Sequence, residues 1–411
     1  MSALTSQDVL RKPKGIKQRI FRSFMAAAPF AFRILRRVLP IARLGSTYVI
    51  TRHDDVREVF GTDRAFHVPY KPRLDVITGG EPFFLGMADG PEYRASLAAM
   101  HRVVTADDLP ELARQTEARA EEIVAASGGR VEVVDQLVRR VSFDVIGRYF
   151  GVPEPADGRL DVWATRLFEF QFTGSPDDHD LRRQVDAIAP AFRDHIDREI
   201  ARRKATDDAP PDVLSRCLER QRAGDPGYSD VDIRTALLCM VVGGPPQPPM
   251  VVPQALEQIL RRPEALAAAS ATAGDGDDDR LWRIVREAMR FDPLAPGLPR
   301  IAKEDWTIAR GTRRQRTIRK DATVIVGFAS AMMDKRRIPE PDRFDPDRRA
   351  HEYIHFGHGL HECFGRHINE ATLHLMLKPL LRQPGLRRAA GPEGHLTKNG
   401  FFAERLVVEF G

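Results

Sequence analysis

The ten residues from Phe356 to Gly365 read Phe-Gly-His-Gly-Leu-His-Glu-Cys-Phe-Gly and place one cysteine, Cys363, among three glycines. Glycine adopts left-handed backbone conformations at no steric cost and lets a flat ligand approach the main chain. Apolar residues then recur at helical spacing from Arg366 to Leu381, so the pattern predicts a helix that begins just after the cysteine. A tight turn, a cysteine and a helix must therefore follow one another directly.

A cysteine in this setting suits iron chemistry, because a thiolate is one of the few protein ligands of haem iron. The N-terminus of the following helix is expected to favour the negative charge of the Cys363 sulfur and to keep it unprotonated. The other two cysteines, Cys217 and Cys239, lie far apart in the sequence, which indicates neither a disulfide framework nor a CxxC metal site. They are predicted to be buried, neutral thiols in a reducing compartment.

A zinc site is the competing interpretation of this region. The histidines near the cysteine are His351, His355, His358, His361 and His367. Zinc requires several ligands that converge on one point, and the glycine pattern has no role in such a site. The sequence therefore favours iron.

The rest of the chain predicts a mainly α fold with a small β portion. Strand patterns are confined to Thr47–Thr51 near the start and Arg405–Phe410 near the end. Helical periodicity is found in Leu109–Ser127, Val131–Phe150, Leu160–Phe172, Leu181–Arg203, Asp212–Ala223, Ile233–Gly243, Val252–Leu260 and Leu281–Phe291. With 411 residues, of which 42% are apolar, a single large domain over residues 45–411 is expected, preceded by a basic arm over residues 1–44.

The basic arm is defined by its charge. Residues 11–43 contain ten Lys and Arg and no Asp or Glu. No apolar run approaches the ~20 residues that cross a bilayer, and no signal-peptide pattern follows the charges, so a cytoplasmic protein is expected. Two interpretations of the arm stay open: a peripheral contact with an anionic membrane or acidic partner, or an arm that packs on its own domain.

The run Phe356–Gly365 resembles, at every defined position, the haem-binding signature of the cytochrome P450 superfamily, Phe-Gly-x-Gly-x-(His/Arg)-x-Cys-x-Gly. Glu287 and Arg290 match the Glu-x-x-Arg pair of that family, at i and i+3 on one helix face. The segment Arg343–Arg348 resembles the one that docks on this pair. The resemblance extends from the Tyr48 strand to the C-terminal strand, and it implies the cytochrome P450 fold and haem b as cofactor.

The resemblance implies a role for each residue of the cofactor site. Cys363 would be the axial ligand of the iron, and Phe356 would pack beside the sulfur, where an apolar wall tunes the iron. Arg300 and His361 would bind haem propionates through charge-assisted hydrogen bonds. The full set implied for cofactor binding is Cys363, Phe356, His361, Arg300, Tyr93, Gly357 and Gly365. The Glu287–Arg290 pair is structural in the family.

The chain departs from the family in the helix that crosses the haem. That helix carries the motif (Ala/Gly)-Gly-x-(Asp/Glu)-Thr-(Thr/Ser), whose acid and threonine deliver protons to bound dioxygen. Here Gly243 and Gly244 match, but Pro246 takes the place of the acid and Gln247 that of the threonine. No carboxyl or hydroxyl group remains in the motif.

Four prolines at positions 245, 246, 248 and 249 also change the backbone. Each proline lacks an N–H and clashes with the carbonyl four residues earlier. The sequence therefore predicts a broken helix, with the amide of Gln247 near the break. The carbonyls that should lose their partners are those of Val241, Val242, Gly244 and Pro245. The alternative is that the prolines only reshape a pocket.

A second departure lies around residue 93, where the family has His-x-x-x-Arg. Tyr93 takes the histidine position and Leu97 the arginine position. Tyr93 would still donate to a propionate. Arg94 and Arg102 are the candidates to replace the missing arginine.

Three functions stay open. The first is a haem-thiolate oxidoreductase that acts on an apolar small molecule by peroxide-dependent or hydroperoxide-dependent oxidation or rearrangement, with Gln247, Gly243 and Gly244 as its catalytic element. The second is a conventional monooxygenase that uses dioxygen and a ferredoxin-type redox partner. The third is a haem-binding relative without turnover. Candidates for the redox-partner surface are Arg348, Arg349 and Arg366; the aromatic residues Phe168, Phe170, Phe172, Phe401 and Phe402 are predicted either to line the substrate pocket or to belong to the core.

Overall fold

The computed structural model describes residues 9–11, 27, 30–175, 177–206 and 209–411. These residues form two compact units. The first contains residues 9–11 and 70–249, and the second contains residues 27, 30–69 and 250–411. The predicted mainly α fold with a small β portion is confirmed.

The first unit is almost wholly helical. Its helices are Lys71–Thr78, Pro91–Val103, Leu109–Ala125, a continuous helical stretch from Val133 to Phe150, Leu160–Phe168 with Glu169–Thr173, His179–Ala205, Val213–Arg222 and Asp230–Gly243. Asp230–Gly243 begins with a capping box, in which Ser229 and Asp232 each satisfy a backbone N–H of the other. This helix packs against His179–Ala205 and Leu160–Phe168. Contacts with two helices explain why its apolar residues are not confined to one face.

The helical stretch from Val133 to Phe150 contains two π-helical turns, Val133–Arg139 and Phe143–Gly147. A π turn widens the helix locally and often occurs at functional sites. Ser142, which lies between the two turns, is fully buried.

The second unit contains the sheets. The largest has five strands in the order Ile41–Leu44, Thr47–Ile50, Thr323–Val326, Leu298–Ala302 and Phe66–His67, with only the pair Thr47–Ile50 and Thr323–Val326 parallel. Smaller pairs are Trp306–Ile308 with Arg316–Ile318, Thr397–Asn399 with Phe402–Arg405, and Arg387–Arg388 with Val407–Glu409. The predicted strand at Thr47–Thr51 is confirmed as Thr47–Ile50. The predicted strand Arg405–Phe410 is broken at Leu406, so its residues fall in Phe402–Arg405 and Val407–Glu409.

The second unit also contains several helices. They are residues 30–38, His53–Gly61, Pro263–Asp275, Asp278–Phe291, Phe328–Ala331, Arg366–Thr372 and Lys378–Leu381, and the chain passes from the first unit to the second within Pro248–Leu260. The sheet and helix His53–Gly61 share an apolar core that includes Ile50, Val56, Phe60 and Val324. The predicted helix from Arg366 to Leu381 is interrupted after Thr372 and resumes at Lys378, with Pro379 in the first turn of the second helix.

Parts of the basic arm can be placed. Arg11 forms ion pairs with Glu169 at 2.7 Å and with Asp178 at 2.6 Å, and Arg36 is buried with its Nη1 donating to the hydroxyl of Ser330 at 2.8 Å. Residues 1–8, 12–26 and 28–29 of the arm lie outside the described residues. Within the described part of the chain, no helix is long and apolar enough to cross a bilayer.

Candidate functional site

The cysteine loop folds back on itself as its glycines predict. The N–H of Cys363 donates to the carbonyl of Phe356 at 2.8 Å. Gly357 and Gly359 have φ values of +79° and +81°, in the left-handed region that glycine alone adopts freely. A Cβ at Gly359 would lie 2.6 Å from the carbonyl oxygen of Phe60, so the loop rests against the end of helix His53–Gly61 only because this residue is glycine.

The helix after the cysteine begins at Arg366, as predicted, with Gly365 as its N-cap. The backbone N–H of Gly365 hydrogen-bonds the Cys363 sulfur, but burial outweighs it and raises the pKa of the thiol to about 11. The prediction that the helix N-terminus keeps the sulfur ionised is therefore wrong for the protein alone. A bound cation would lower this pKa, because it favours the thiolate.

These residues fit a haem iron. A metal cation lowers the pKa of its ligand, and a coordinating thiol is deprotonated, so the buried thiol of Cys363 suits metal binding despite its high pKa. A Cβ at Gly365 would lie 3.9 Å from the sulfur and 3.6 Å from the amide nitrogen of Asn369. Both distances are ordinary van der Waals contacts, so the Cβ position of Gly365 lies directly beside the sulfur.

Two predicted propionate ligands lie beside the same helix end. The guanidinium of Arg300, a buried side chain, stands 4.8 Å from the ring centroid of Phe60. Nε2 of His361 is 3.3 Å from a carboxylate oxygen of Asp63. The structure thus brings Arg300 and His361 to the helix that supports the cysteine loop. Asp63 had no signal in the sequence, because its contact with His361 joins residues almost three hundred positions apart.

The Glu287–Arg290 pair is fully buried and doubly hydrogen-bonded, at 2.9 and 2.7 Å. The same Glu287 carboxylate accepts the N–H of Asp345 at 3.0 Å, Nε of Arg348 at 3.3 Å and the hydroxyl of Tyr353 at 3.0 Å. The predicted docking of Arg343–Arg348 on the pair is confirmed. We call Glu287, Arg290, Asp345, Arg348 and Tyr353 the buried ion cluster.

The buried ion cluster leads directly into the cysteine loop. The ring of Tyr353 stacks on His355 with centroids 5.4 Å apart, and Nε2 of His355 donates to the carbonyl of Arg286 at 3.0 Å. His355 in turn meets the ring of Phe356 edge-on. A short chain of ring contacts therefore fixes the residue that precedes the first glycine of the loop.

The basic residues proposed for a redox partner do not form one exposed surface. Arg348 is buried in the ion cluster, so its prediction as a docking residue is wrong. Arg366 is paired with Glu362 and with Glu370. Arg349 is exposed.

The histidines near the cysteine point to separate partners. His355 bonds the carbonyl of Arg286, His358 lies 3.5 Å from Arg57, and His361 pairs with Asp63. Among the described residues, no group of three or more His, Cys, Asp or Glu is arranged to hold a metal ion.

The helix break predicted at the prolines is confirmed. Helix Asp230–Gly243 ends at Gly243, and the next helix begins at Pro248. The N–H of Gly244 still donates to the carbonyl of Met240 at 2.9 Å, and the N–H of Gln247 donates to the carbonyl of Gly244 at 3.1 Å. The interruption is therefore a tight turn of four residues, which we call the proline turn (residues 244–247).

Two of the four carbonyls expected to lack donors are satisfied by the protein. The hydroxyl of Ser142 donates to the carbonyl of Pro245 at 2.9 Å, and Gln247 serves that of Gly244, so the prediction is wrong at these two positions. The carbonyls of Val241 and Val242 lose their helical donors, because Pro245 and Pro246 have no N–H. No signal in the sequence pointed to Ser142.

Gln247 supplies the bond that the helix lacks. Its side-chain Nε2 donates to the carbonyl of Gly243. An amide nitrogen carries two N–H groups, and the amide oxygen remains an acceptor, so the half-buried side chain keeps polar capacity for a ligand. Beside it, a Cβ at Gly243 would meet no atom within 4 Å, whereas one at Gly244 would lie 2.9 Å from the carbonyl of Met240. There is open space at Gly243 and none at Gly244.

The region around residue 93 belongs to the first unit. Tyr93 is buried and meets the ring of Phe84 edge-on at 6.4 Å. The two candidate replacements for the missing arginine are engaged elsewhere: Arg94 pairs with Asp89 at 2.9 Å, and Nε of Arg102 bonds the hydroxyl of Tyr228 at 3.3 Å.

The aromatic residues assigned to a pocket or to the core take part in packing. The rings of Phe168 and Phe172 are 4.9 Å apart, and the guanidinium of Arg73 lies 5.5 Å from the ring of Phe170. In the second unit, Phe402 is buried and Phe401 packs on the apolar core of the sheet.

The two remaining cysteines are buried, as predicted. Burial raises the pKa of Cys217 to about 12 and raises that of Cys239 further above its usual range. Both thiols therefore stay neutral.

The sequence profile of the family described as "Cytochrome P450" matches residues 281–384, which contain the buried ion cluster and the cysteine loop. The chain is 27% identical over 380 residues to the mycinamicin IV hydroxylase/epoxidase of Micromonospora griseorubida, covering 86% of this chain and 87% of the relative. It is 28% identical over 381 residues to the pentalenic acid synthase of Streptomyces avermitilis, covering 88% of each.

A third relative matches a smaller part. The chain is 31% identical over 204 residues to a bifunctional dioxygenase–epoxy alcohol synthase of Fusarium oxysporum, covering 46% of this chain and 16% of the relative. Among solved structures, the ligand-free cytochrome P450 TbtJ1 has a TM-score of 0.78 at 24% identity, over 94% of this chain and 98% of the other. CalO2 also has a TM-score of 0.78, at 22% identity over 95% and 97%. These two structures show the fold.

Proposed function

The chain belongs to the cytochrome P450 superfamily, and on that premise we propose that it oxidises or rearranges an apolar small molecule with a peroxide or organic hydroperoxide as the oxygen source. It is an oxidoreductase, and the family implies a haem-iron cofactor. Haem b held by Cys363, with Arg300, His361 and Tyr93 toward its propionates, is part of the proposal.

When bound, the haem iron with its thiolate ligand supplies cleavage of an O–O bond. Dioxygen chemistry needs two electrons and two protons from outside, so an enzyme that uses it requires a redox partner and a proton relay. In a peroxide, the oxygen has already received these two electrons. With hydrogen peroxide, a C–H bond becomes C–OH while the peroxide is reduced to one water, and no external electron is consumed.

The observation that carries the proposal is the proline turn. In the family, the helix that ends here bears the acid and the threonine of the relay, whereas in this chain residues 243–249 contain neither a carboxyl nor a hydroxyl group. The nearby hydroxyl of Ser142 is committed to the carbonyl of Pro245. What the turn offers instead is open space at Gly243 and an amide at Gln247.

Gln247 is proposed to orient the oxidant. One N–H of its amide holds the carbonyl of Gly243, which fixes the side chain. The second N–H and the amide oxygen would then bond the two ends of a peroxide, whose oxygens accept and whose O–H donates. An amide does not titrate in the physiological range, so its role would be positioning rather than proton transfer.

One relative supports hydroperoxide chemistry by its name. An epoxy alcohol is an isomer of an unsaturated hydroperoxide, so an epoxy alcohol synthase that starts from such a hydroperoxide needs neither an electron donor nor an added oxidant. The matched part of the Fusarium oxysporum relative makes this reaction class a candidate for the present chain.

A conventional monooxygenase is the second candidate, favoured by a different observation. The relatives named as a hydroxylase/epoxidase and as a synthase match 86% and 88% of the chain. In that case dioxygen and a ferredoxin-type partner would be used, and ordered water or the substrate would deliver the protons.

One experiment separates the two candidates. Purified holoprotein is incubated with a panel of fatty acids and terpenoids, either with ¹⁸O-labelled hydrogen peroxide or with ferredoxin, its reductase, NADPH and ¹⁸O-labelled dioxygen. Linoleic acid hydroperoxide, tested alone, reports isomerisation. The proposal expects labelled product from peroxide, or an epoxy alcohol from the hydroperoxide. Label that enters only from dioxygen would establish the second candidate, and inertness to all three would favour a haem-binding protein without turnover.

A further inference from the structure

We propose that residues 30–44 form a membrane-binding surface that takes an anionic phospholipid bilayer as its partner. Five large apolar side chains in this stretch are exposed, namely Phe30 at 69%, Ile34 at 46%, Val38 at 72%, Leu39 at 47% and Leu44 at 68%. Among the described residues, the other large apolar side chain with comparable exposure is Val231, at 38%. Such concentration in fifteen residues marks an interaction site rather than scattered surface leucines.

The apolar side chains lie on a helix whose opposite face is anchored. Phe30, Ile34 and Val38 are spaced by four residues in the helical residues 30–38, so they lie along one face. On the other face, Phe32 is buried against the sheet and Arg36 bonds the hydroxyl and the carbonyl of Ser330, at 2.8 and 2.9 Å. The exposed face is therefore held outward by a helix that is fixed to its domain.

The strand hairpin that follows extends the surface. Leu44 ends the strand Ile41–Leu44 and is followed by Gly45 in the left-handed conformation, φ +60°. This places a highly exposed leucine at the hairpin turn. Protruding apolar side chains on a helix and a turn suit insertion into the boundary between headgroups and acyl chains.

The charge of this surface favours a membrane as its partner over a second copy of the chain. Arg33, Arg37 and Arg43 are exposed among the apolar side chains, and no Asp or Glu lies between residues 11 and 43. That stretch carries ten positive charges although the whole chain has a net charge of +5. A symmetric dimer through this surface would bring the same cationic patch against itself, whereas anionic lipid headgroups compensate it.

Vesicle flotation of the full-length holoprotein tests the proposal. The probes are vesicles of phosphatidylcholine alone and vesicles of phosphatidylcholine that contain about 30% phosphatidylglycerol, an anionic lipid. The variants are Ile34→Gln/Val38→Gln/Leu44→Gln, which removes apolar contacts, and Arg33→Gln/Arg37→Gln, which removes charge. Val231→Gln is the matched control, because it removes an exposed apolar side chain outside the surface. Haem absorbance and the unfolding midpoint of each variant report that the fold is kept.

The expected result is flotation with the anionic vesicles. The triple variant should bind about tenfold or more weakly, because membrane affinity scales with the apolar area inserted. The double arginine variant should lose about fivefold per charge on anionic vesicles only, on the order expected for basic residues near such a surface. Val231→Gln should bind as the unmodified protein does.

Four outcomes would overturn the proposal. The first is no flotation with either vesicle, and the second is unchanged flotation of the triple variant. The third is a sedimentation shift from dimer to monomer in the triple variant without vesicle binding, which would identify a second copy as the partner. The fourth is vesicle binding that appears only after residues 1–26 are deleted, which would identify the chain's own N-terminal segment as the occupant.

Discussion

The buried ion cluster and the proline turn differ in how their buried polar groups obtain hydrogen-bond partners. In the cluster, the Glu287 carboxylate is bonded by Arg290, Arg348, Tyr353 and the N–H of Asp345. At the proline turn, prolines remove donors from the helix, and Ser142 and Gln247 replace only part of what is lost. The cluster is saturated, and the turn keeps polar capacity and space.

The difference teaches where a ligand can act. A saturated buried network rigidifies its surroundings and has nothing left to offer a substrate. The interrupted helix has open space at one glycine, two carbonyls whose helical donors are replaced by prolines, and an amide oxygen that can accept a hydrogen bond. The cluster therefore serves as scaffold for the cysteine loop, and chemistry specific to this chain is expected at the turn. The predictions below test that division.

The largest effect is expected at Cys363, the proposed iron ligand. Cys363→Ser should abolish the thiolate-type carbon monoxide difference spectrum and all turnover, because a serine hydroxyl stays protonated and is a poor iron ligand. The measurement is the difference spectrum of the reduced protein. Cys217→Ser, at a buried thiol outside the loop, is the control and should keep the spectrum. A thiolate spectrum that survives in Cys363→Ser would remove the ligand assignment.

The second effect tests saturation of the cluster. Glu287→Gln leaves the guanidinium group of Arg290 buried without its counter-charge and leaves Arg348 with Glu352 alone, at 3.7 Å. The change should lower the free energy of unfolding by about 3–5 kcal/mol. The matched control is Glu111→Gln, because Glu111 pairs with Arg114 at the same i, i+3 spacing but on the surface. The control should leave the unfolding midpoint unchanged. If both substitutions lowered the unfolding midpoint equally, burial would not make the ion pair of Glu287 more important for stability than the surface pair of Glu111.

The third effect tests how firmly the proline turn is held. Ser142→Ala removes the donor to the buried carbonyl of Pro245 and should cost about 1–3 kcal/mol, the usual penalty for an unsatisfied buried group. Thr116→Val is the control, since the Thr116 hydroxyl bonds the Leu112 carbonyl within a helix that also provides a backbone donor. Denaturant unfolding of both variants makes the comparison. A Ser142→Ala protein as stable as the unmodified one would show that the turn needs no external support.

The fourth effect concerns chemistry rather than stability. Gln247→Ala should slow peroxide-dependent turnover by about tenfold, the loss expected for one positioning hydrogen bond of about 1.4 kcal/mol, while haem absorbance stays unchanged. Gln254→Ala is the control, because the Gln254 amide also bonds a carbonyl four residues earlier, that of Met250. Steady-state kcat and KM with hydrogen peroxide decide. An unchanged kcat in Gln247→Ala would exclude this residue from the mechanism.

In the buried ion cluster and at the proline turn alike, the sequence predicts the local features and misses the distant partners. The cysteine loop and the Glu287–Arg290 pair could be predicted because their chemistry lies within a few residues, in positive-φ glycines and in an i, i+3 pair. The helix break could be predicted for the same reason, since a proline acts on its own turn. The partners could not: Ser142 reaches Pro245 across 103 positions. Because charge favours exposure, the sequence predicts Arg348 at the surface, and only the fold shows that it closes the ion cluster.

The smallest effect follows from His355, which links the ion cluster to the loop. Burial lowers the pKa of His355 to about 3, although its bond to the carbonyl of Arg286 acts in the opposite direction. A folded pKa below the unfolded value of about 6.5 means that the unfolded chain takes up a proton that the folded protein refuses. The contribution of neutral His355 to the free energy of unfolding is therefore fully present above pH 6.5. It is lost progressively as the pH falls from about 6.5 toward 3.

At pH 5.5 this linkage amounts to about 1 kcal/mol. His355→Gln keeps a donor for the Arg286 carbonyl but does not titrate, so its stability should fall less between pH 7 and pH 5.5 than that of the unmodified protein. His351→Gln, at an exposed histidine, is the control and should keep the original slope. Urea unfolding at a series of pH values measures both. Identical slopes for His355→Gln and the unmodified protein would mean that His355 accepts a proton in the folded state, and the segment between the ion cluster and the cysteine loop would then be open to water rather than sealed.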